Sequence, residues 1–432
     1  MSGAYARANL FVSYFSSLPG RRMAQLDRNR QRATQSLLAI STPLSTMKFL
    51  TAYFAAAALV FPVLASPPLL HTVQKYDGET SGKYIVKLKR GVSKETIFGQ
   101  VRAANVTHDW TVINGFASYL NADDLKTLRA SRDVEYIAED GISRACITRY
   151  DAPWNLERIS HKTLSNHDPS TLNHPYAYDE PAGRGVDIYI VDTGIQVSHA
   201  EFVPRARWGA TFGGYPNRDD NGHGTHVAGT AGGNTYGVAR DANLIAVKVL
   251  SAKGNGANSD IISGLDWVAK TVGGTRRPSV VNMSLEGAAS IPMDEAVAGL
   301  VNRGIHVACA AGNHNVDTRN TSPARARGVN AVAASTIDDT KADFSNFGPV
   351  VSFWAPGQDI ISAWIGPDNK NFKSLDGTSM ASPHVAGLIA YFIGRSGYKS
   401  PRDMTLDLRA FALQGVLRGV PPGTVNNLVQ NA

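Results

Sequence analysis

The sequence predicts an α/β protein: a doubly wound, mostly parallel sheet preceded by a small α+β region with a split βαβ pattern. Two observations carry the main part. Four short runs, 186–191, 244–250, 280–285 and 305–311, are largely apolar, rich in β-branched residues and free of proline, as strands covered on both faces of a parallel sheet are. Helical spacing lies between and after them, over 258–272 and 293–302, with a long apolar helix from Ser379 to Ile393. The third observation is upstream, where short strand and helix patterns alternate within about 75 residues.

In that upstream region 83–88 reads as a strand and 94–103 as a helix. A strand over 112–120 carries Asn114, Gly115 and Phe116, a helix over 121–130 opens on Asn121 as cap, and 134–137 closes as a strand. Residues 141–151 are polar, mixed in sign and aperiodic, which predicts a linker. No internal repeat, low-complexity tract, P-loop or dinucleotide glycine pattern occurs.

A chain of 432 residues exceeds one ordinary core. Hydrophobic residues at 43% with 18% charged are globular proportions. The formal charge of +7 is no argument for a polyanion partner, because the first 66 residues hold seven basic side chains against one acidic and the rest is nearly balanced. No nucleic-acid or membrane partner is expected. Residues 47–65, with Lys48, an apolar stretch and small residues at Val63 and Ala65, have the form of a secretory signal peptide, too short for a membrane span. Residues 1–46 precede it, Arg- and Ser-rich; translation from Met47 is the expectation, leaving them outside the native product. Of the two cysteines, Cys309 sits in an apolar run and reads as a core thiol, whereas Cys146 falls in the linker; a bond between them stays open.

Three glycine-rich stretches carry chemistry: Val-Asp-Thr-Gly at 191–194, Asn-Gly-His-Gly-Thr-His at 221–226 and Gly-Thr-Ser-Met-Ala at 377–381. They offer an acid, a base and a nucleophile in the chain order Asp192, His223, Ser379. A free hydroxyl attacks a peptide carbonyl poorly, and a neighbouring imidazole corrects this by taking its proton. Asp192 closes a strand and would hold the imidazole tautomer. Ser379 opens the long helix, where its own free N–H can donate to an oxyanion, with Pro383 expected in the first turn.

With these flanking residues the chain resembles the subtilase family of serine peptidases, in particular its secreted, fungal, proteinase K-like branch. The resemblance implies a secreted serine endopeptidase acting on proteins or peptides as a monomer, with the vacuole as the alternative destination. It implies that residues 66–144 are an inhibitory propeptide that also aids folding, cut near residues 142–148, and that 145–432 is the peptidase domain. In Ala310-Ala311-Gly312-Asn313 it makes Asn313 the side-chain oxyanion donor. It places the substrate walls at Gly254-Asn255-Gly256 and Ser284-Leu285-Glu286-Gly287, with Ala310 and Gly312 contributing to substrate binding. Glu286 stands where glycine is usual, so its carboxylate is expected to crowd the cleft or favour a basic substrate residue. No cofactor is implied for catalysis and no residue is assigned as a metal ligand. A calcium carboxylate of close relatives falls on Ser352, which leaves a structural calcium ion open. A cysteine common after Gly-Thr-His is Val227 here.

The remaining histidines of the motifs, His226 and His384, read as structural. Asn105 and Asn320 begin glycosylation sequons in surface segments, and Asn282 begins one on a buried strand. Three alternatives fit the sequence less well. An aspartic peptidase needs a second Asp-Thr-Gly loop or a dimer; no second loop occurs, and His223 and Ser379 would be left without a role. An α/β-hydrolase needs its histidine well after the serine, and only His384 follows. A catalytically silent binding protein would have lost part of the Asp192, His223, Ser379 and Asn313 set, which is intact.

Overall fold

In the upstream region alternate residues of one strand, Val86 and Leu88, turn fully inward, and the chain organises around them. The structure, a computed structural model, describes residues 70–76, 80–101, 106–142 and 146–431. The expected extension (1–46), signal peptide (47–65) and the Asn105 sequon lie outside the described residues. Strands β1 (Val73–Gln74), β2 (Thr80–Leu88), β3 (Val106–Trp110), β4 (Gly115–Ser118) and β5 (Val134–Gly141) form a sheet ordered β1-β5-β2-β4-β3. Helix α1 (Lys94–Phe98) joins β2 to β3, and α2 (Ala122–Ala130) joins β4 to β5, giving the split βαβ arrangement. Ile97, Phe116, Leu128 and Ile137 complete its core.

Asn121 caps α2 as expected, its Oδ1 accepting from the N–H groups of Asp123 and Asp124 at 3.0 and 2.8 Å. Two expectations need correction. Helix α1 ends at Phe98, short of residue 103. The strand placed at 112–120 is the second arm of a hairpin whose first arm is β3, because Asn114 belongs to the turn: its amide donates to the carbonyls of Lys89 and Val92, both at 3.0 Å.

Downstream, β6 (Cys146–Ala152) pairs antiparallel with β7 (His174–Asp179) across the short helix α3 (Trp154–Arg158). The segment read as linker is therefore strand from Cys146 onward, a state that only its partner strand reveals. There follow β8 (Asp187–Asp192), β9 (Ala206–Thr211), α4 (His223–Gly232), β10 (Asn243–Lys248), α5 (Asn258–Thr275), β11 (Ser279–Met283), β12 (Gly287–Ala288), α6 (Ile291–Asn302), β13 (His306–Ala310) and β14 (Thr321–Ser322). The chain continues with β15 (Asn330–Ser335), β16 (Val351–Pro356), β17 (Ile360–Ala363), β18 (Phe372–Leu375), α7 (Thr378–Ser396), α8 (Pro401–Phe411), β19 (Leu413–Gln414) and β20 (Asn427–Leu428).

The main sheet runs β19-β20-β16-β15-β13-β11-β8-β10-β9, parallel throughout except for β19. It is doubly wound, as expected. Successive residues of β8 show why: Ile188 and Ile190 enter the core with Val227 of α4 and Val385 of α7, whereas Tyr189 and Val191 enter the core with Leu265 of α5 and Val297 of α6. The chain leaves β8 toward β10 and β9, then returns to β11 on the other side. The carboxyl ends of β8 and β11 thus flank the point where the winding reverses, which is where open α/β sheets leave a crevice.

Cys309 is a free, fully buried thiol on β13, and burial pushes its pKa up, so it is an unreactive part of the core.

Candidate active site

Asp192 is the last residue of β8 and is wholly buried. Its Oδ1 accepts from the Thr193 N–H at 2.7 Å and from His223 Nδ1 at 2.8 Å, and Oδ2 stands 3.0 Å from the same nitrogen. His223 is the first residue of α4. That helix starts close against the turn after β8, since a Cβ on Gly224 would meet the Gly194 carbonyl at 2.1 Å. Burial lowers the His223 pKa, but the charge and hydrogen bond of Asp192, with Asp219 behind, outweigh it and leave the pKa raised.

Asp219 organises this start. Its carboxylate accepts from the hydroxyls of Thr193 (2.9 Å) and Thr225 (2.6 Å) and from the N–H groups of Asn221, Gly222 and Thr225. It thereby supplies the acceptor that the first turn of α4 needs. Lys248, also fully buried, donates to the Thr193 carbonyl at 2.6 Å and to Asp220 at 2.8 Å. Neither Asp219 nor Lys248 was singled out from the sequence. An acid two residues before an Asn-Gly pair that opens a helix was the available signal for Asp219.

Ser379 lies in the first turn of α7, and among the described residues no acceptor takes its N–H. Its hydroxyl donates to the Ser284 carbonyl at 3.2 Å, not to His223; such bonds often tighten only with substrate bound. Pro383 sits in the second turn, not the first as expected. Lacking an N–H, it leaves the carbonyl of Ser379 free. The Ser284 hydroxyl donates to that carbonyl at 2.7 Å, so the proline ties the helix start to the wall after β11.

Asn313 follows β13 through a turn in which Gly312 has φ +110°, and a Cβ there would meet Asn346 Nδ2 at 2.2 Å. The Asn313 Oδ1 accepts from the N–H and the hydroxyl of Thr378 at 2.8 and 2.9 Å. With the oxygen so occupied, the amide NH2 is turned to the other side. Asn346, another residue the sequence did not flag, clamps the turn. Its Oδ1 accepts from the N–H groups of His314 and Val316, and its Nδ2 donates to the Ala311 carbonyl and Thr321 hydroxyl.

A cleft of about 540 Å³ brings together His223, Ser379, Gly254, Gly256, Ser284, Leu285 and Glu286, with Ile261 and Met293 as apolar lining. Asp192 is buried behind it, and Ala310 and Gly312 are buried beneath the surface. The Glu286 carboxylate turns onto the Gly312–Asn313 turn, both oxygens accepting from the Asn313 N–H at 3.2 and 3.1 Å.

His226 and His384 are structural. His226 Nε2 lies 3.0 Å from the carbonyls of Ile360 and Lys373, and burial lowers its pKa to about 3. His384 Nδ1 donates to the Met380 carbonyl and its Nε2 accepts from Asn155, with burial lowering its pKa to about 4. Asn282 is fully buried and bonded to Ser284 and Ser382, which removes it as a sequon, whereas Asn320 is exposed. Ser352 is buried and its hydroxyl donates to the Val329 carbonyl at 3.4 Å. A neutral hydroxyl so engaged does not fit a charged calcium ligand. Among the described residues no cluster of three His, Cys, Asp or Glu side chains suits a metal ion, and no helix is long and apolar enough to cross a membrane.

Comparison with known proteins places the chain in a family. The subtilase family model matches residues 183–420. A subtilisin-like protease 2 of Pseudogymnoascus destructans is 40% identical over 408 residues, covering 89% of this chain and 99% of the relative. A cuticle-degrading protease of Metarhizium anisopliae is 42% identical over 375 residues, covering 85% of this chain and 94% of the relative. A crystal structure of a cold adapted subtilisin-like serine proteinase superposes with a TM-score of 0.60 at 40% identity, covering 65% of this chain and 99% of that one. The chain belongs to the subtilase family and is a serine endopeptidase.

Proposed function

We propose that the protein hydrolyses peptide bonds through an acyl-enzyme formed on Ser379, with His223 as general base and Asp192 as its orienting acid. The observation that carries this reading is the Asp192–His223 hydrogen bond at the edge of a cleft that also contains Ser379. Ser379 Oγ bonds to the substrate carbonyl carbon while its proton passes to His223 Nε2. The resulting oxyanion accepts from the Ser379 N–H and from Asn313 Nδ2. Collapse breaks the C–N bond, the departing amine takes the proton from His223, and water then releases the acid by the same steps in reverse. Substrate runs extended along the walls at 254–256 and 284–287, borrowing backbone hydrogen bonds as an added strand does.

The same reading makes the protein a secreted, self-processed zymogen. The signal at 47–65 directs export, with the vacuole as the alternative, and residues 66–144 serve as inhibitor and folding aid for a monomeric peptidase. Two observations support this division: the 70–142 region has a core of its own, and the downstream sheet structure begins at β6. Asn320 would carry a glycan.

Mass spectrometry of purified protein treated with a serine-directed phosphonate tests both parts. The expected result is one adduct, on Ser379, in a chain that begins between residues 142 and 148. Ser379→Ala is expected to stay unprocessed. Absence of an adduct in processed protein overturns the enzyme assignment of Ser379, and self-processing of Ser379→Ala overturns the zymogen reading.

A further inference from the structure

We propose that Glu286 is a positioning residue for the oxyanion site, acting through the backbone of Asn313; this rests on the reading of Ser379 and Asn313 above. Both of its carboxylate oxygens face the Asn313 N–H, at 3.2 and 3.1 Å. Glu286 sits in the substrate wall, two residues after the Ser284 that bonds Ser379 in both directions. It therefore joins the wall to the turn that carries the oxyanion donor.

Asn313 is held at three points. Thr378 holds its side-chain oxygen, and the Gly312 N–H, by donating to the Thr378 hydroxyl at 3.1 Å, holds the residue before it. Glu286 holds its own N–H. Without the carboxylate that N–H has no other partner among the described residues, and the φ and ψ of Asn313 are freer to vary. Oxyanion stabilisation depends on donors fixed within a fraction of an ångström before charge develops. Asn313 is only partly buried, so water can take up its freed N–H and the fold loses little.

The arrangement also separates this role from recognition of a basic substrate side chain. The carboxylate is committed to Asn313, and the exposed His314 imidazole has its Nε2 3.6 Å away. A Cβ on Gly312 would meet Glu286 Oε2 at 2.4 Å, so the turn is shaped to let the carboxylate approach. A close fit of this kind favours one side-chain orientation.

The test is a double-mutant cycle on the processed enzyme, each variant being cut by a trace of tagged parent enzyme that is then removed. Stoichiometric phosphonate labelling of Ser379 in every variant comes first; failure there counts against the proposed function and not against Glu286. Glu286→Ala is expected to lower kcat about tenfold, the worth of one charge-assisted hydrogen bond, with KM within about twofold and little change in the unfolding midpoint. Glu286→Gln, whose amide oxygen accepts the same N–H, recovers most of that loss. In an Asn313→Ala background Glu286→Ala costs nothing further, since the donor it positions is gone. Three results overturn the proposal: unchanged kcat in Glu286→Ala, the full loss persisting in the Asn313→Ala background, or an effect confined to KM for substrates with basic residues.

Discussion

On the side of the cleft formed by Asp192 and His223 the anchoring groups are buried and charged: Asp192, Asp219 and Lys248 are almost wholly out of solvent and tied to one another through Thr193. On the side of Ser379 and Asn313 the anchors are mostly neutral, namely the Thr378 and Ser284 hydroxyls, the Asn346 amide and backbone carbonyls, with Glu286 as the one partly exposed charge. The difference matches the proposed tasks. A base must have its protonation state set, which takes fixed charge in a low-dielectric surrounding. An oxyanion site must present free donors toward a developing negative charge, so charges of that sign are kept few and engaged.

Four outcomes test this contrast. Asp192→Asn should be the most damaging, lowering kcat about 10⁴-fold in a chromogenic-peptide assay because the imidazole loses its acceptor and its tautomer. A loss below tenfold would show that the buried charge does not govern the base. Asn313→Ala should cost about 10²–10³-fold in kcat with KM little altered. Asn346→Ala removes four hydrogen bonds around the turn that carries Asn313; denaturant titration should find it about 2–3 kcal/mol less stable. The smallest effect concerns pH. As the proposed general base His223 must be neutral, and since its pKa is raised, kcat/KM should fall as pH is lowered through a value above the ordinary imidazole pKa of about 6.5. An acid limb below that value would mean that burial, not Asp192, dominates at His223.

Much of the scaffold was legible because burial on two faces leaves a sequence trace. Strands β8, β10, β11 and β13 are buried at nearly every position and mostly apolar, and α5, α6 and α7 show helical spacing. Helix α4 left no such trace. Its residues, His-Gly-Thr-His-Val-Ala-Gly-Thr-Ala-Gly, have poor helix propensity, and the helix stands because it is buried and because Asn221, Thr193 and Asp219 accept the N–H groups of His223, Gly224 and Thr225 at its start. Strand β6 read as linker for a related reason: a polar edge strand is recognisable only by its partner, here β7.

The site divides along the same line. Glycine-rich turns at strand ends and helix starts singled out Asp192, His223 and Ser379 as candidates, and the family resemblance added Asn313. Of their supporting partners, Lys248 and Asn346 come from distant segments and nothing local marks them, whereas Asp219 stands shortly before His223 and Thr378 immediately before Ser379. The role proposed for Glu286 follows from the same distance in sequence: as a departure from pattern it suggested a contact with substrate, whereas the folded chain turns its carboxylate onto a backbone N–H 27 residues away. Local chemistry determined which groups can react. Only packing decided how they are held, because hydrogen-bond partners between separate strands and helices depend on topology and register.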